Sequence, residues 1–198
     1  LGSFVVLAGN IHLTHGSARS SFLAFVSTVG GLLLVWGFSE AAVWLSQLSG
    51  VASEEASLLL LTTETISDPR GLLLAGIILG AVGVLDDIAV TQTETVAELH
   101  TADASLSRRQ LFERAMNVGK HHIASVVNTL VLAYAGVALP IFLLFYLRDD
   151  LMIWRFVNEE LIAEEIIRTL SGTTALVLLV PLATWLATLI VQKKNTRA

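Results

Sequence analysis

Four long apolar stretches, roughly residues 22–48, 71–90, 123–147 and 172–191, constrain this chain more than any other feature. A helix rises 1.5 Å per residue, so each stretch can cross a hydrocarbon core about 30 Å thick, which takes about 20 residues. Lipid offers the backbone no hydrogen-bond partners, so apolar segments that enter it must satisfy their own N–H and C=O groups, as helices do. The expected fold is therefore all-α: a polytopic transmembrane helix bundle with amphipathic interfacial helices, forming one domain over 1–198. Composition agrees, because 54% hydrophobic and 15% charged residues with a mean hydropathy of +0.72 lie outside the range of water-soluble domains. The opening "LGSFVVLAG" is too short to span and lacks a basic start, so residues 1–10 read as the end of a helix whose beginning is missing.

The segments between the spans alternate in charge. Arg19, then Arg108, Arg109, Arg114 and Lys120, then the tail residues Lys193, Lys194 and Arg197 supply eight of the twelve basic residues. The other connections carry Glu54, Glu55, Glu64 and Asp68, then Asp149, Asp150, Glu159, Glu160, Glu164 and Glu165. Basic connections stay in the cytoplasm, which predicts a plasma-membrane protein with a cytoplasmic C-terminus. Within 91–122 an amphipathic hairpin is expected. In "LSRRQL", Ser107 is a helix N-cap, Gln110 its capping-box partner, and Leu106 and Leu111 form a staple. A second amphipathic segment, 149–171, should lie in the outer interface, with Glu164 and Arg168 paired at i,i+4. The chain has no cysteine, which excludes disulfides, thiolate metal sites and cysteine nucleophiles. No basic, aromatic-interleaved patch suggests nucleic acid as a partner.

The chemistry-bearing stretch is "GAVGVLDDIAVTQTETVAEL". Gly76, Gly80, Gly83, Asp87, Thr91, Glu94 and Glu98 recur at steps of three or four, which places them on one helical face. Glycines so spaced let a neighbouring backbone approach closely, so this face is expected to pack and to aim Asp87 at a protein interface. Asp86 points ~100° away on a regular helix. An ionised acid inside a span costs ~2.5–3.5 kcal/mol near the centre, less toward the boundary, and marks a functional candidate. The plainer reading is a packing or capping group softened by nearby water. Ser125, Asn128 and Thr129 share a face at a matching depth in the next span, which makes Asn128 the expected partner of Asp87. Structural glue is the plainer role for such pairs. Thr91 and Gln92 complete the expected pocket. His121 and His122 sit at its mouth as interfacial residues, Glu40 reaches the outer interface, and Pro140 and Pro181 predict kinks in their spans.

The blocks "IHLTHGSARSSFLAFVSTVGG", "GAVGVLDDIAVTQTETVAEL", "HHIASVVNTLVLAYAGVALP" and "EEIIRTLSGTTALVLLVPLATW" closely resemble segments of the YibE/F-like family of bacterial multi-pass membrane proteins, and the likeness spans almost the whole chain. The resemblance implies a bacterial inner-membrane protein of a kind commonly labelled a permease. Members typically carry further N-terminal spans and an extracytoplasmic domain.

These features lead to a non-enzymatic permease or transporter, with Asp86 and Asp87 as coupling acids and Asn128, Ser125, Thr129, Thr91 and Gln92 lining the site. The alternative is a non-transporting scaffold or assembly subunit in which glycines and polar pairs only lock helices together. Intramembrane aspartyl proteolysis needs acids on two helices, whereas here both are adjacent on one. Expected partners are the lipid bilayer and missing N-terminal spans or another membrane subunit, with homo-oligomerisation left open. The sequence specifies neither a metal nor a cofactor.

Overall fold

The computed structural model describes residues 18–62, 68–147 and 153–192. The partial span at 1–10, the tail bases and the acids Glu64, Asp149 and Asp150 lie outside the described residues. Among the described residues there are six helices: α1 (Ala18–Ser46), α2 (Glu54–Thr62), α3 (Pro69–Ala102), α4 (Arg108–Tyr146), α5 (Ile153–Val157) and α6 (Glu160–Gln192). Among the described residues there is no strand. α1, α3, α4 and α6 are each long and apolar enough to cross a membrane, as the four apolar stretches require. Consecutive spans run in opposite directions, so that α3 and α6 are parallel, and this leaves the α3–α4 turn at one end of the bundle and the short α2 and α5 at the other.

Local chemistry sets the helix ends. Asp68 caps α3 by accepting from Arg70 N at 3.0 Å, and Pro69 fills the first turn, where a missing N–H costs nothing. At 34 residues, α3 is about 51 Å long and overshoots the hydrocarbon core by about 20 Å. The predicted hairpin 91–122 is therefore the ends of two spanning helices, closed by a turn at 103–107. In that turn Asp103 accepts from the Ser105 hydroxyl at 2.6 Å and its backbone N–H at 3.1 Å, and the Ser105 hydroxyl bond is the main reason its carboxyl sits below the ordinary range. The capping box expected at Ser107 and Gln110 is formed. Leu106 and Leu111 are both buried in a small cluster with Val96, Ala115 and Ala187.

α1, α3 and α6 contact one another, and α4 lies mainly against α6. Leu73, Ile77, Leu85 and Ile88 of α3 meet Val35 and Val43 of α1 and Leu176, Leu179 and Ala183 of α6 in the main core. Only 6% of the most apolar stretch of α4 is buried, against 50% for α6. α4 is the peripheral helix.

One detail differs from the sequence expectation. Residues 160–171 do not form a separate interfacial segment but open the continuous helix α6, with Ile162, Glu164, Ile167 and Ser171 buried. The apolar positions Ile162 and Ile167 carry the packed face onward, and no helix breaker interrupts it. Pro140 and Pro181 sit inside α4 and α6, which continue through them. At the α2/α5 end, Gly50 has φ +77, and a Cβ there would meet Pro69 O at 2.6 Å, so both conformation and space demand glycine. Glu160, in the first turn of α6, accepts from the backbone N–H groups of Ser49 and Gly50, tying the loop after α1 to the start of α6.

Candidate functional site

The candidate site is a polar seam through the contact of α1, α3 and α6, toward the α3–α4 turn. On α3, Leu85 and Ile88 face the core at 1% exposure each, and Asp86 between them is carried inside at 4%. Thr28 Oγ1 lies 3.1 Å from Asp86 Oδ1 and 2.9 Å from the carbonyl of Ala24. A hydroxyl has one proton, so it donates to one of these acceptors at a time. When Asp86 is a carboxylate, the Thr28 proton can point at Oδ1. When Asp86 is protonated, its own O–H can donate to Thr28 Oγ1, and the Thr28 proton turns to Ala24 O. Ser27 is fully buried beside Thr28, and its hydroxyl has no hydrogen-bond partner.

A second knot lies further along α3. Gln92, 2% exposed, uses the two protons of Nε2 to reach the carbonyl of Ala115 on α4 at 3.0 Å and Thr184 Oγ1 on α6 at 2.8 Å. Thr184 passes its own proton to Val180 O at 2.6 Å. The space for this amide is supplied by Gly119, where a Cβ would lie 2.7 Å from Val180 Cγ1 and 2.9 Å from Gln92 Oε1. The close helix approach that the sequence assigns to Gly76, Gly80 and Gly83 therefore occurs at Gly119. A Cβ at Gly83 would meet nothing within 4 Å, one at Gly80 only the Tyr134 hydroxyl at 3.5 Å, and one at Gly76 only an Arg168 nitrogen at 3.7 Å.

The expected constellation is thus divided. Asp86 and Gln92 are in the core, whereas Asp87, Ser125, Asn128 and Thr129 are exposed and Thr91 is half-buried. Asp87 and Asn128 are not brought into a hydrogen bond. Asn128 sits on the outward face of α4, while Thr129 Oγ1 donates back to Ser125 O at 3.0 Å within the same helix. The reason is that the packed face of α3 is defined by its leucines and isoleucines, and the glycine face is turned outward. His121 is exposed, His122 is half-buried, and Glu40 is exposed. Thr28, Ser27 and Thr184 were not anticipated. Their signal in the sequence is a hydroxyl pair beside Gly30 and Gly31 in one span and Thr184 and Thr188 at i,i+4 in another.

The opposite end holds a second group. Arg168 Nε pairs with Glu165 Oε1 at 3.3 Å, at i,i+3, instead of with Glu164. Glu164 is 8% exposed, and its Oε1 is buried without a partner. Among the described residues no group of three His, Cys, Asp or Glu side chains could hold a metal ion.

The family model for the YibE/F-like protein matches residues 1–193, and the chain belongs to that family. No curated protein and no solved structure gives a significant match.

Proposed function

From membership of the YibE/F-like family and a bundle of apolar helices, we propose that this membrane protein is a permease of the bacterial plasma membrane, with Asp86 as its coupling acid. The observation that carries the reading is a nearly inaccessible carboxyl among apolar side chains whose hydroxyl partner, Thr28, lies within reach of two acceptors. An intramembrane acid is costly to keep unless it is used. The Thr28 hydroxyl beside it can act as donor or as acceptor. Arg108, Arg109, Arg114 and Lys120 lie toward the α3–α4 turn, which supports the reading that this end faces the cytoplasm and the acidic α2/α5 end the outside. On this reading Asp86 takes up a proton while open to one side of the membrane and releases it when the bundle opens to the other.

The test is solute-dependent proton movement in proteoliposomes loaded with a pH-sensitive dye and challenged with a panel of small solutes. The wild type is expected to couple proton uptake to at least one solute. Asp86→Asn should lose coupling while remaining folded, because the uncharged amide removes the desolvation cost of the acid. Asp87→Asn should behave as wild type. Coupling that survives in Asp86→Asn would refute the reading.

A scaffold or assembly role is the second reading, favoured by the exposed length of α4 and the outward amide of Asn128. In hydrocarbon that amide needs a partner, which a further span, another membrane subunit or a second copy would supply. On this reading Asp86→Asn leaves function intact, and Asn128→Leu disrupts assembly.

A further inference from the structure

A cavity of about 350 Å³ opens at the α2/α5 end, between α2, α3, the end of α4 and the start of α6. It is separate from the seam around Asp86. Its walls are largely apolar, from Leu59, Leu72, Leu73, Ile141 and Leu161, and its charged residues are Glu164, Glu165, Arg168 and the exposed Glu54. Among the described residues, Glu164 Oε1 is buried with no hydrogen-bond partner. A buried, unpaired carboxylate oxygen is expensive, which is a reason to look for the group that completes it. Arg168 lies in an ion pair with Glu165 at 3.3 Å, although Arg168 Nε and Glu165 Oε2 make no hydrogen bond among the described residues, and Glu160 is held by two backbone N–H groups. Glu164 is in no ion pair among the described residues, and the exposed Glu54 adds a further acidic group to the lining. A mostly apolar cavity with surplus acid favours a positive charge attached to an apolar body. The missing partner of Oε1 is a hydrogen-bond donor, so the cation must carry an N–H.

We propose that this cavity binds a small primary organic ammonium ion, with its N–H donating to Glu164 Oε1 and its apolar part against Leu72 and Leu161. A bare inorganic cation would leave most of the volume unfilled and the apolar walls unused. The same ammonium chemistry is offered by a free amine and by an ethanolamine lipid headgroup. The inference does not rest on transport, since it concerns equilibrium binding.

The experiment is calorimetric titration of phenethylammonium chloride into the full chain in phosphatidylcholine nanodiscs, with sodium chloride and phenethyl alcohol as comparison titrants. Saturable binding of the amine is expected, with neither sodium nor the alcohol binding in the same range. Glu164→Gln should weaken the amine at least tenfold, and Asp86→Asn should leave it unchanged. If Glu164→Gln fails to fold, Leu72→Trp, which fills the cavity from its exposed edge, should abolish binding instead. Nanodiscs containing phosphatidylethanolamine distinguish the two sources, because a headgroup already in the cavity lowers the amine's apparent affinity and a free-amine site does not respond. The proposal is overturned if the wild type does not bind the amine, if sodium or the alcohol binds equally well, or if both variants that fold keep wild-type affinity.

Discussion

Replacing Gly119 by alanine adds one methyl group at the tightest point between α4 and α6. The new Cβ would stand 2.7 Å from Val180 Cγ1 and 2.9 and 3.0 Å from the two terminal atoms of the Gln92 amide. Carbon atoms rest about 3.5–4.0 Å apart, so one neighbour must retreat by about 1 Å. Val180 is 1% exposed and, as a β-branched residue in a helix, has essentially one side-chain rotamer. Gln92 is fixed by bonds of 3.0 and 2.8 Å to two different helices. Overpacking of this kind costs about 1–3 kcal/mol. Losing one Gln92 bond would add about 1 kcal/mol, and the helix propensity gained in passing from glycine to alanine returns about 1 kcal/mol. The expected net loss is about 1–3 kcal/mol, a fall in Tm of roughly 2–12 °C for a chain of this size, measurable by thermal unfolding in nanodiscs. Gly83→Ala, where a Cβ meets nothing within 4 Å, is the matched control and should hold or raise Tm. Adding Val180→Ala to Gly119→Ala removes the 2.7 Å contact and should give a favourable coupling of about 1 kcal/mol in a double-mutant cycle. A Gly119→Ala protein as stable as wild type, or a larger loss at Gly83, would refute the assignment of the close contact.

Thr28→Val keeps the shape but removes the donor to Asp86, so stability should fall by about 1.5–3 kcal/mol, while Thr28→Ser should lose much less; equal unfolding temperatures would sink the pairing. Ser107→Ala breaks the capping box and should cost about 0.5–2 kcal/mol, with faster amide exchange in the first turn of α4 as the local readout. Topology can be checked in intact cells, because the chain has no cysteine: a cysteine at Ser105 should resist an impermeant thiol reagent and one at Ser53 should react, the reverse pattern inverting the orientation.

The parts of the fold that depend on length and local chemistry were readable from the residues. Four spans follow from four apolar stretches, and the Ser107 capping box follows from hydroxyl, amide and spacing alone. Which way each helix faces was not readable to the same degree. In a soluble helix the polar face marks the outside, but a spanning helix is apolar toward both lipid and protein, so periodicity loses its sign. The glycine stripe of α3 was taken as the packed face, whereas Leu73, Ile77, Leu85 and Ile88 are the residues that pack. Since Asp86 and Asp87 differ by ~100°, this choice of face alone decides which acid is buried. For Asn128 the sequence supplied the depth but not the direction around α4. The Glu164 cavity depends on where α2 and the end of α4 fold back, and no spacing within α6 encodes that.

The two protons on Gln92 Nε2 also have a mechanical consequence. Because one nitrogen holds α4 and α6 from α3, these three helices cannot separate at that level without breaking a buried bond, and they behave there as a single wall. α1 is outside that knot and meets α3 at Thr28 and Asp86. Beyond that bond α1 is packed along its length against α3 and α6 in the main core. The Thr28 proton can therefore change its acceptor inside a helix contact that stays closed.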